Sequence, residues 1–351
     1  NDYYIVDSSL DIVIEADNAG TDSVLLKLSD FTPASNIEFI MLDDSILVAT
    51  GNSLKNTLLG NANNNTISGR EDDDSLSGLS GDDSLLGEDG NDTLNGGAGT
   101  DILVGGVGND FYIVSESGDW IVEAVGSGVD SVLSLLSDYT LGAHTDWLIL
   151  DSTLSDGAKA TGNSYANTLL GNANANSLDG GTGLDSLVGG DGNDWYTVDV
   201  LSDIVLYSSG VDSVLAKVTG YTLGATSGAE WLVLSTGIGR GVGNSLSNTL
   251  IGNTTANTLE GAAGSDSLDG GLGNDSLAGG TDNDTLVGGD GNDTLNGGTG
   301  TDSLVGGSGN TYYNIDTVSD VIVDTSGTDS LLASLTDYTL GTDLEWLILD
   351  T

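Results

Sequence analysis

The chain has 351 residues, with 54 acidic side chains against six Lys and Arg and one His, a formal charge of −48. Almost no cations are available to neutralise phosphates, which excludes nucleic acid as a direct partner. The lack of cysteine excludes a disulfide scaffold and a thiolate zinc site. No run approaches the ~18 apolar residues of a membrane-spanning helix. The opening NDYYIVDSSL is not a signal peptide, having neither a basic start nor an apolar stretch. Length alone allows two or three ordinary domains. A charge this large, with much Gly and Asp, ordinarily means disorder, yet 38% of residues are hydrophobic and Leu, Val and Ile recur at regular places. The chain has a core to bury and lacks cations, so its folding is expected to wait for positive charge from outside.

In chain order, residues 1–50 form a spacer that begins with YYIVDSSLDIVIEADNAGTDSVL from Tyr3 and ends near EFIML. An array of ungapped nines follows over 51–110: GNSLKNTLL, GNANNNTIS, GREDDDSLS, GLSGDDSLL, GEDGNDTLN, GGAGTDILV and GGVGNDFYI. A second spacer, 111–161, repeats the first as FYIVSESGDWIVEAVGSGVDSVL, then a DYTLG motif and DWLIL. A short array over 162–194, a spacer over 195–242 with EWLVL, an array over 243–311 and a partial spacer over 312–351 with EWLIL complete the pattern. The three arrays hold 19 nines in register, and such self-similarity dominates any other signal. Asn1-Asp2 match the ND of GGxGND, and Thr351 stands where another array is expected. The sequence therefore reads as an excerpt of a longer tandem polypeptide.

Each nine carries a large apolar residue at position eight (Leu58, Ile67, Leu76, Leu85, Leu94, Leu103 and Tyr112 in the first array) and Asp or Asn at position six. One large apolar residue per nine makes no helical stripe. A few extended residues around it make a short strand, and the Gly-rich half permits the positive φ of a tight turn. Two turns and two strands take 18 residues and close one coil, so coils stack as two parallel sheets with each Leu on the Leu 18 residues away. At about 4.8 Å per coil, some 18 coils would extend roughly 85 Å. The spacers keep short strands about ten residues apart, so the coil is expected to continue through them with longer turns and no metal.

Stacking also sets Asp over Asp. Asp74, Asp92 and Asp110 fall on one edge and Asp83 and Asp101 on the other; Asp266, Asp284 and Asp302 oppose Asp275 and Asp293. Carboxylates ~5 Å apart repel strongly, and the chain supplies nothing cationic to separate them. A hard divalent cation resolves this. Calcium takes six to eight oxygens in flexible geometry, whereas magnesium demands a strict octahedron with retained water. Of the 54 acids 45 are Asp, the short side chain that a ligand held close to its own turn requires.

Arrays of GGxGxDxUx resemble the calcium-binding repeats of the RTX family. The resemblance covers all 19 nines, and the spacers resemble the inter-array segments of large RTX proteins. It implies an all-β, right-handed parallel β-roll, a β-solenoid of stacked nonapeptide turns, disordered without calcium and folded with it. It implies one Ca2+ between neighbouring turns of the same edge, held by Asp carboxylates and by turn carbonyls such as those of Gly96, Gly97, Gly99, Gly288, Gly289 and Gly291. Carried onto position six, the ligands are Asp74, Asp83, Asp92, Asp101, Asp110, Asp185, Asp194, Asp266, Asp275, Asp284, Asp293 and Asp302. Same-edge pairs 18 residues apart number six, and partial sites would bring the total to about a dozen. The resemblance further implies export by a one-step bacterial system that reads an uncleaved C-terminal signal.

Departures from the pattern define further expectations. Asn56, Asn65, Asn167, Asn176, Asn248 and Asn257 replace the Asp in the first two nines of each array, which reads as metal-free turns closed by stacked amides. Thr311 puts the last site in doubt, and Asp72 and Asp282, in place of the fourth glycine, either distort the turn or add a ligand. Asp185 and Asp194, on opposite edges, leave the second array with partial sites. Trp147, Trp231 and Trp346, with Phe39 at the same place, are expected to cap a thin core rather than form a carbohydrate-stacking row. Glu38, Asp146, Glu230 and Glu345 just before them are expected to be solvated. His144 has no second His beside it, and no Ser lies in a G-x-S-x-G elbow. Every carboxylate pair recurs, unlike the unique dyad of a glycosidase.

These readings describe a calcium-binding, non-enzymatic structural region of a secreted bacterial protein, extracellular or at the cell surface. It builds a surface layer, filament or adhesin stalk, with self-association, further copies of the module, or a cell-surface or glycan contact as partners. The alternative is the export and folding-assist region of a secreted hydrolase or pore-forming toxin whose activity lies elsewhere.

Overall fold

A computed structural model describes residues 1–15, 20–29, 31, 33, 35–224, 228–335 and 344–349. The fourth copy of the DYTLG motif lies outside the described residues. Among them every element is a β-strand of two to six residues and every strand pairing is parallel, with no helix. The chain forms two compact units, Asn1–Asn172 with Gly180–Ser186, and Ala173–Asp179 with Leu187–Thr351.

Register follows from the repeat. In the first unit Leu58 pairs with Leu76, Leu76 with Leu94 and Leu94 with Tyr112 along one sheet. Ile67, Leu85, Leu103 and Ile121 pair in turn along the second. In the second unit Leu250, Leu268, Leu286, Leu304 and Ile322 form one row, and Leu259, Leu277, Leu295 and Tyr313 the other. The position-eight residues are all buried, because strand residues alternate faces and position eight is the inward one. The core is only one side chain deep on each side. A Cβ placed on Gly241 would lie 2.9 Å from Leu232 and 3.0 Å from Leu234 of the facing sheet.

The spacers continue the same sheets. Tyr3–Val6 pairs with Ser23–Leu26, which pairs with Phe39–Leu42, which pairs with Thr57–Asn61 of the first array. Phe111–Val114, Ser131–Ser134, Trp147–Leu150 and Thr168–Leu170 repeat this in the second spacer. Successive register partners are 18 residues apart within arrays but 20 and then 16 apart here, as Phe111 to Ser131 to Trp147. The turns absorb the two-residue excess and the two-residue deficit, so the inward face is kept.

The sheet pairings join each coil to the coils beside it, so stability is close to a sum of neighbour terms. Leu286 sits fully buried between Leu268 and Leu304. Leu286→Ala is expected to destabilise the cation-loaded fold by about 2–4 kcal/mol, while outward-facing Val287→Ala stays within about 0.5 kcal/mol. Denaturant unfolding followed by far-UV circular dichroism measures both.

Candidate metal centre

The acidic side chain at position six is not at the surface. None of the twelve Asp predicted as ligands is more than 3% exposed. Each carboxylate is drawn in by a backbone N–H of the preceding coil on its edge. On one edge of the first array the N–H groups of Asn56, Asp74 and Asp92 donate to Oδ1 of Asp74, Asp92 and Asp110 at 2.7, 2.7 and 2.8 Å. On the other, Asn65 and Asp83 donate to Asp83 and Asp101 at 2.6 and 2.8 Å. In the third array Asn248, Asp266 and Asp284 donate to Asp266, Asp284 and Asp302 at 2.7, 2.9 and 2.9 Å, and Asn257 and Asp275 to Asp275 and Asp293 at 2.7 and 2.8 Å. Asp185 accepts from Asn167 and Asp194 from Asn176. The edge partners expected from stacking are thus brought together in the first and third arrays.

One oxygen of each carboxylate is used in this ladder. The other, Oδ2 of Asp74, Asp83, Asp92, Asp101, Asp110, Asp266, Asp275, Asp284, Asp293 and Asp302, is buried with no hydrogen-bond partner. Leaving a buried polar atom unmatched is costly, more so when it carries charge. These oxygens face the glycine at position one of their own coil, and for Asp83, Asp92, Asp266, Asp275, Asp284 and Asp293 the position-one carbonyl of the next coil on that edge converges on the same point. A Cβ on Gly78 would lie 2.1 Å from Asp83 Oδ2 and 2.7 Å from the carbonyl oxygen of Gly96; one on Gly270 would lie 2.4 Å from Asp275 Oδ2 and 2.7 Å from that of Gly288. Gly87, Gly261 and Gly279 show the same convergence of a carboxylate and a carbonyl. Several oxygens and no donor meet at one point, a donor set that suits calcium.

The Asn coils differ at two positions together. Position two is Asn in each of them, and its N–H caps the side-chain oxygen at position six, as from Asn52 to Asn56, Asn61 to Asn65 and Asn253 to Asn257 at 2.7, 2.8 and 2.7 Å. The amide nitrogen then donates to a backbone carbonyl one coil back: Asn56 to Ile37, Asn248 to Ala229 and Asn257 to Ile238. The side chains therefore close onto backbone carbonyls, not chiefly onto one another as the sequence suggested. In the Asp coils position two has a positive φ whatever residue stands there: Arg70 (94°), Leu79 (76°), Glu88 (82°) and Ala262 (87°) as well as Gly97 (95°) and Gly289 (100°). A positive φ swings the peptide between positions one and two, and no N–H reaches the Oδ2 atoms named above.

Several expectations are corrected. Asp72 and Asp282 keep a positive φ, 73° and 78°, but below the 104–159° of the glycines that hold the fourth position elsewhere, so the turn is altered there; both are exposed. Thr311 is buried and its N–H donates to Asp329. The ladder does not stop at the arrays: Asp101, Asp110, Asp194 and Asp302 donate to Asp119, Asp130, Asp212 and Asp320 of the spacers. It ends on Glu38, Asp146, Glu230 and Glu345, which accept from the N–H of Asp22, Asp130, Asp212 and Asp329 at 2.7–2.8 Å. Those four acids were expected to be solvated; Glu345 is exposed and the other three are half-buried, and each is tied to the ladder by one hydrogen bond. The tryptophans after them face outward, Trp147 38%, Trp231 39% and Trp346 63% exposed, where a core role was expected. They occupy position seven, the outward Ser or Thr of a nonapeptide, and the leucine after each is the inward residue. His144 packs on Tyr165 with ring centroids 4.9 Å apart.

Among the described residues no Lys, Arg or His forms an ion pair with a ladder carboxylate of the arrays. Lys27, Lys159, Lys217 and Arg240 pair with surface acids Asp43, Asp138, Asp179 and Glu260. Burial, offset in part by the ladder hydrogen bond and reinforced by neighbouring carboxylates, pushes Asp74, Asp110 and Asp266 up to about 7. Burial likewise brings Asp83, Asp92, Asp275 and Asp284 to about 6.

Comparison with known families adds one match. A model of the RTX calcium-binding nonapeptide repeat, four copies long, fits residues 50–85, 77–112, 161–196, 242–277 and 278–313. No curated protein matches the chain.

The proton linkage has a definite sign. Carboxylates whose folded pKa is raised bind protons more tightly in the folded state, so their contribution is present below the unfolded range near 4 and is lost as pH rises through about 6–7. Metal-free protein is expected to show β-signal in circular dichroism at pH 5 and to lose it by pH 7.5. A saturating divalent cation should abolish that dependence.

Proposed function

Since the chain is a member of the RTX calcium-binding repeat family, we propose that it is a structural region whose folding is switched on by extracellular calcium. The observation that supports this is the row of buried carboxylate oxygens without a hydrogen-bond partner, with a turn carbonyl converging on those of Asp83, Asp92, Asp266, Asp275, Asp284 and Asp293. Asp74 with Asp92, Asp92 with Asp110, Asp83 with Asp101, Asp266 with Asp284, Asp284 with Asp302 and Asp275 with Asp293 would hold the best-supported ions. The carbonyls of Gly96, Gly97, Gly99, Gly288, Gly289 and Gly291 supply further oxygens. Asp212, next to Asp194 on the ladder, gives the second array a carboxylate pair that its own nines lack.

Bound calcium supplies positive charge at the points where the carboxylates crowd. The chain's own residues do the rest: the ladder N–H groups orient each carboxylate, the glycines leave room beside it, and the leucines exclude water from behind. In the unfolded chain the same 54 acids repel one another in water, so folding and ion binding are one event. Sites of this kind in extracellular modules work at about 10⁻⁴–10⁻³ M calcium, which fits a secreted or cell-surface protein that stays unfolded inside the cell. The tandem of like modules favours a surface-layer, filament or adhesin role over catalysis.

The test is a calcium titration followed by far-UV circular dichroism and light scattering, with magnesium as control. β-signal that appears with calcium and not with magnesium, accompanied by growing scatter, is the expected result. A folded monomer of constant size would favour a passive or export-assisting segment instead. No response to calcium would overturn the reading.

A further inference from the structure

Where the first array meets the second spacer, Asp110 of the last nonapeptide converges with two spacer carboxylates that the nonapeptide pattern does not contain. Oxygens of Asp110, Glu123 and Asp130 lie within 4.8 Å of one another. Asp110 and Asp130 are 1% and 0% exposed. Each Asp has one oxygen in the ladder: Asp110 Oδ1 accepts from Asp92 and Asp130 Oδ1 from Asp110, both at 2.8 Å. Asp110 Oδ2 has no hydrogen-bond partner, and it is aimed at the cluster. A Cβ on Gly105 would lie 2.1 Å from that oxygen and 2.2 Å from the hydroxyl of Tyr112, and that hydroxyl donates to Glu123 Oε1. The Ser127 hydroxyl donates to Glu123 Oε2 at 2.6 Å and lies 3.4 Å from Asp130 Oδ2. The two hydroxyls thus hold Glu123 in place.

We propose that Asp110, Glu123 and Asp130 form a divalent-cation site of the calcium class that belongs to the spacer and joins it to the array. Among the described residues no Lys, Arg or His pairs with any of the three, so three negative charges meet with nothing in the chain to balance them. A cavity of about 580 Å³, lined by Trp120, Glu123, Leu136 and Tyr139 among others, opens beside Glu123 and gives a hydrated ion a way in.

The other spacers act as internal comparisons. In the first, Asp2, Glu15 and Asp22 make the same cluster, with Tyr4 donating to Glu15. In the third spacer Tyr207 stands where Glu123 does, packed edge-on against Tyr196, and the third carboxylate is gone. In the fourth, Thr311 replaces the first Asp, and the Tyr313 hydroxyl donates to Asp324 at 2.8 Å. The three-carboxylate form is therefore kept in two spacers and lost in different ways in the other two.

The inference rests on the reading of the roll as a calcium binder, and the experiment separates the two. Ions bound per chain are counted by native mass spectrometry at saturating calcium for the wild type, Glu123→Gln and the array variant Asp92→Asn, with circular dichroism on each. Wild type that binds ions, Asp92→Asn that binds fewer, and Glu123→Gln that folds but binds one ion fewer is the expected result. A Glu123→Gln count equal to wild type overturns this site alone, whereas a wild type that binds none overturns the wider reading. Should Glu123→Gln not fold, Glu123→Asp keeps the charge but shortens the reach. It is expected to weaken the binding of one ion at least tenfold in a calorimetric titration, and an unchanged titration overturns the site.

Discussion

Everything in this structure depends on one interaction, the backbone N–H of position six donating to the carboxylate one coil further along the same edge. It pulls an ionisable side chain out of water. In Asp83, Asp92 and Asp266 it uses Oδ1 and leaves Oδ2 buried beside a glycine and a carbonyl. A neutral side chain could rest there, as Asn56 and Asn257 do with donor and acceptor both used. A carboxylate has no donor of its own, so the second oxygen needs a proton or a cation. The pKa values pushed up to about 6–7 express the first choice and the oxygen-only surroundings the second.

The rest of the architecture makes that dependence decisive. A core one leucine deep, built of neighbour contacts alone, has little hydrophobic stabilisation to set against unmatched charge. A thicker domain would tolerate a few buried carboxylates; here they recur on both edges of each long array. The few Lys and Arg are placed on surface acids such as Asp179 and Glu260, where ion pairs contribute little. Charge and fold are thus coupled across the arrays, and the Asn coils that open each array are the ones able to form without external charge.

The repeat made much of this legible from sequence. A period of nine with one large apolar residue dictates the coil, the stacking of Leu on Leu and the edges on which Asp74 and Asp83 fall. What escaped was chemistry that does not keep the nine. Asp130, Asp212 and Asp329 sit in GVDSV, GVDSV and GTDSL, a half-motif with the acid and the apolar residue in place but no paired glycines before it. Glu38 and Trp147 depart from expectation for a related reason. Aligning EF and DW with the D-S or D-T of a nonapeptide puts the acid at position six and the aromatic at outward position seven, which the strand alternation then requires. Glu123 carries no local signal at all. It meets Asp110 and Asp130 only because the longer spacer turn folds it back against Tyr112.

Positions two and six emerge as a linked pair. GN with a later N makes a coil whose amide is capped from within; GG, or any residue forced to positive φ, with a later D makes one whose carboxylate is not. The φ of 76° at Leu79 and 94° at Arg70 shows that the turn geometry belongs to the coil type and is imposed even on residues that resist it, at a cost of about 1–2 kcal/mol each. Such strain is tolerated when something else over-determines the conformation. The stacked neighbours do part of this, since a Cβ on Gly97 would lie 2.1 Å from the carbonyl of Leu79, leaving each turn little freedom once its neighbour has formed. A cation between turns would supply the remainder, so the same ion that balances the carboxylates would also hold the strained peptides in place.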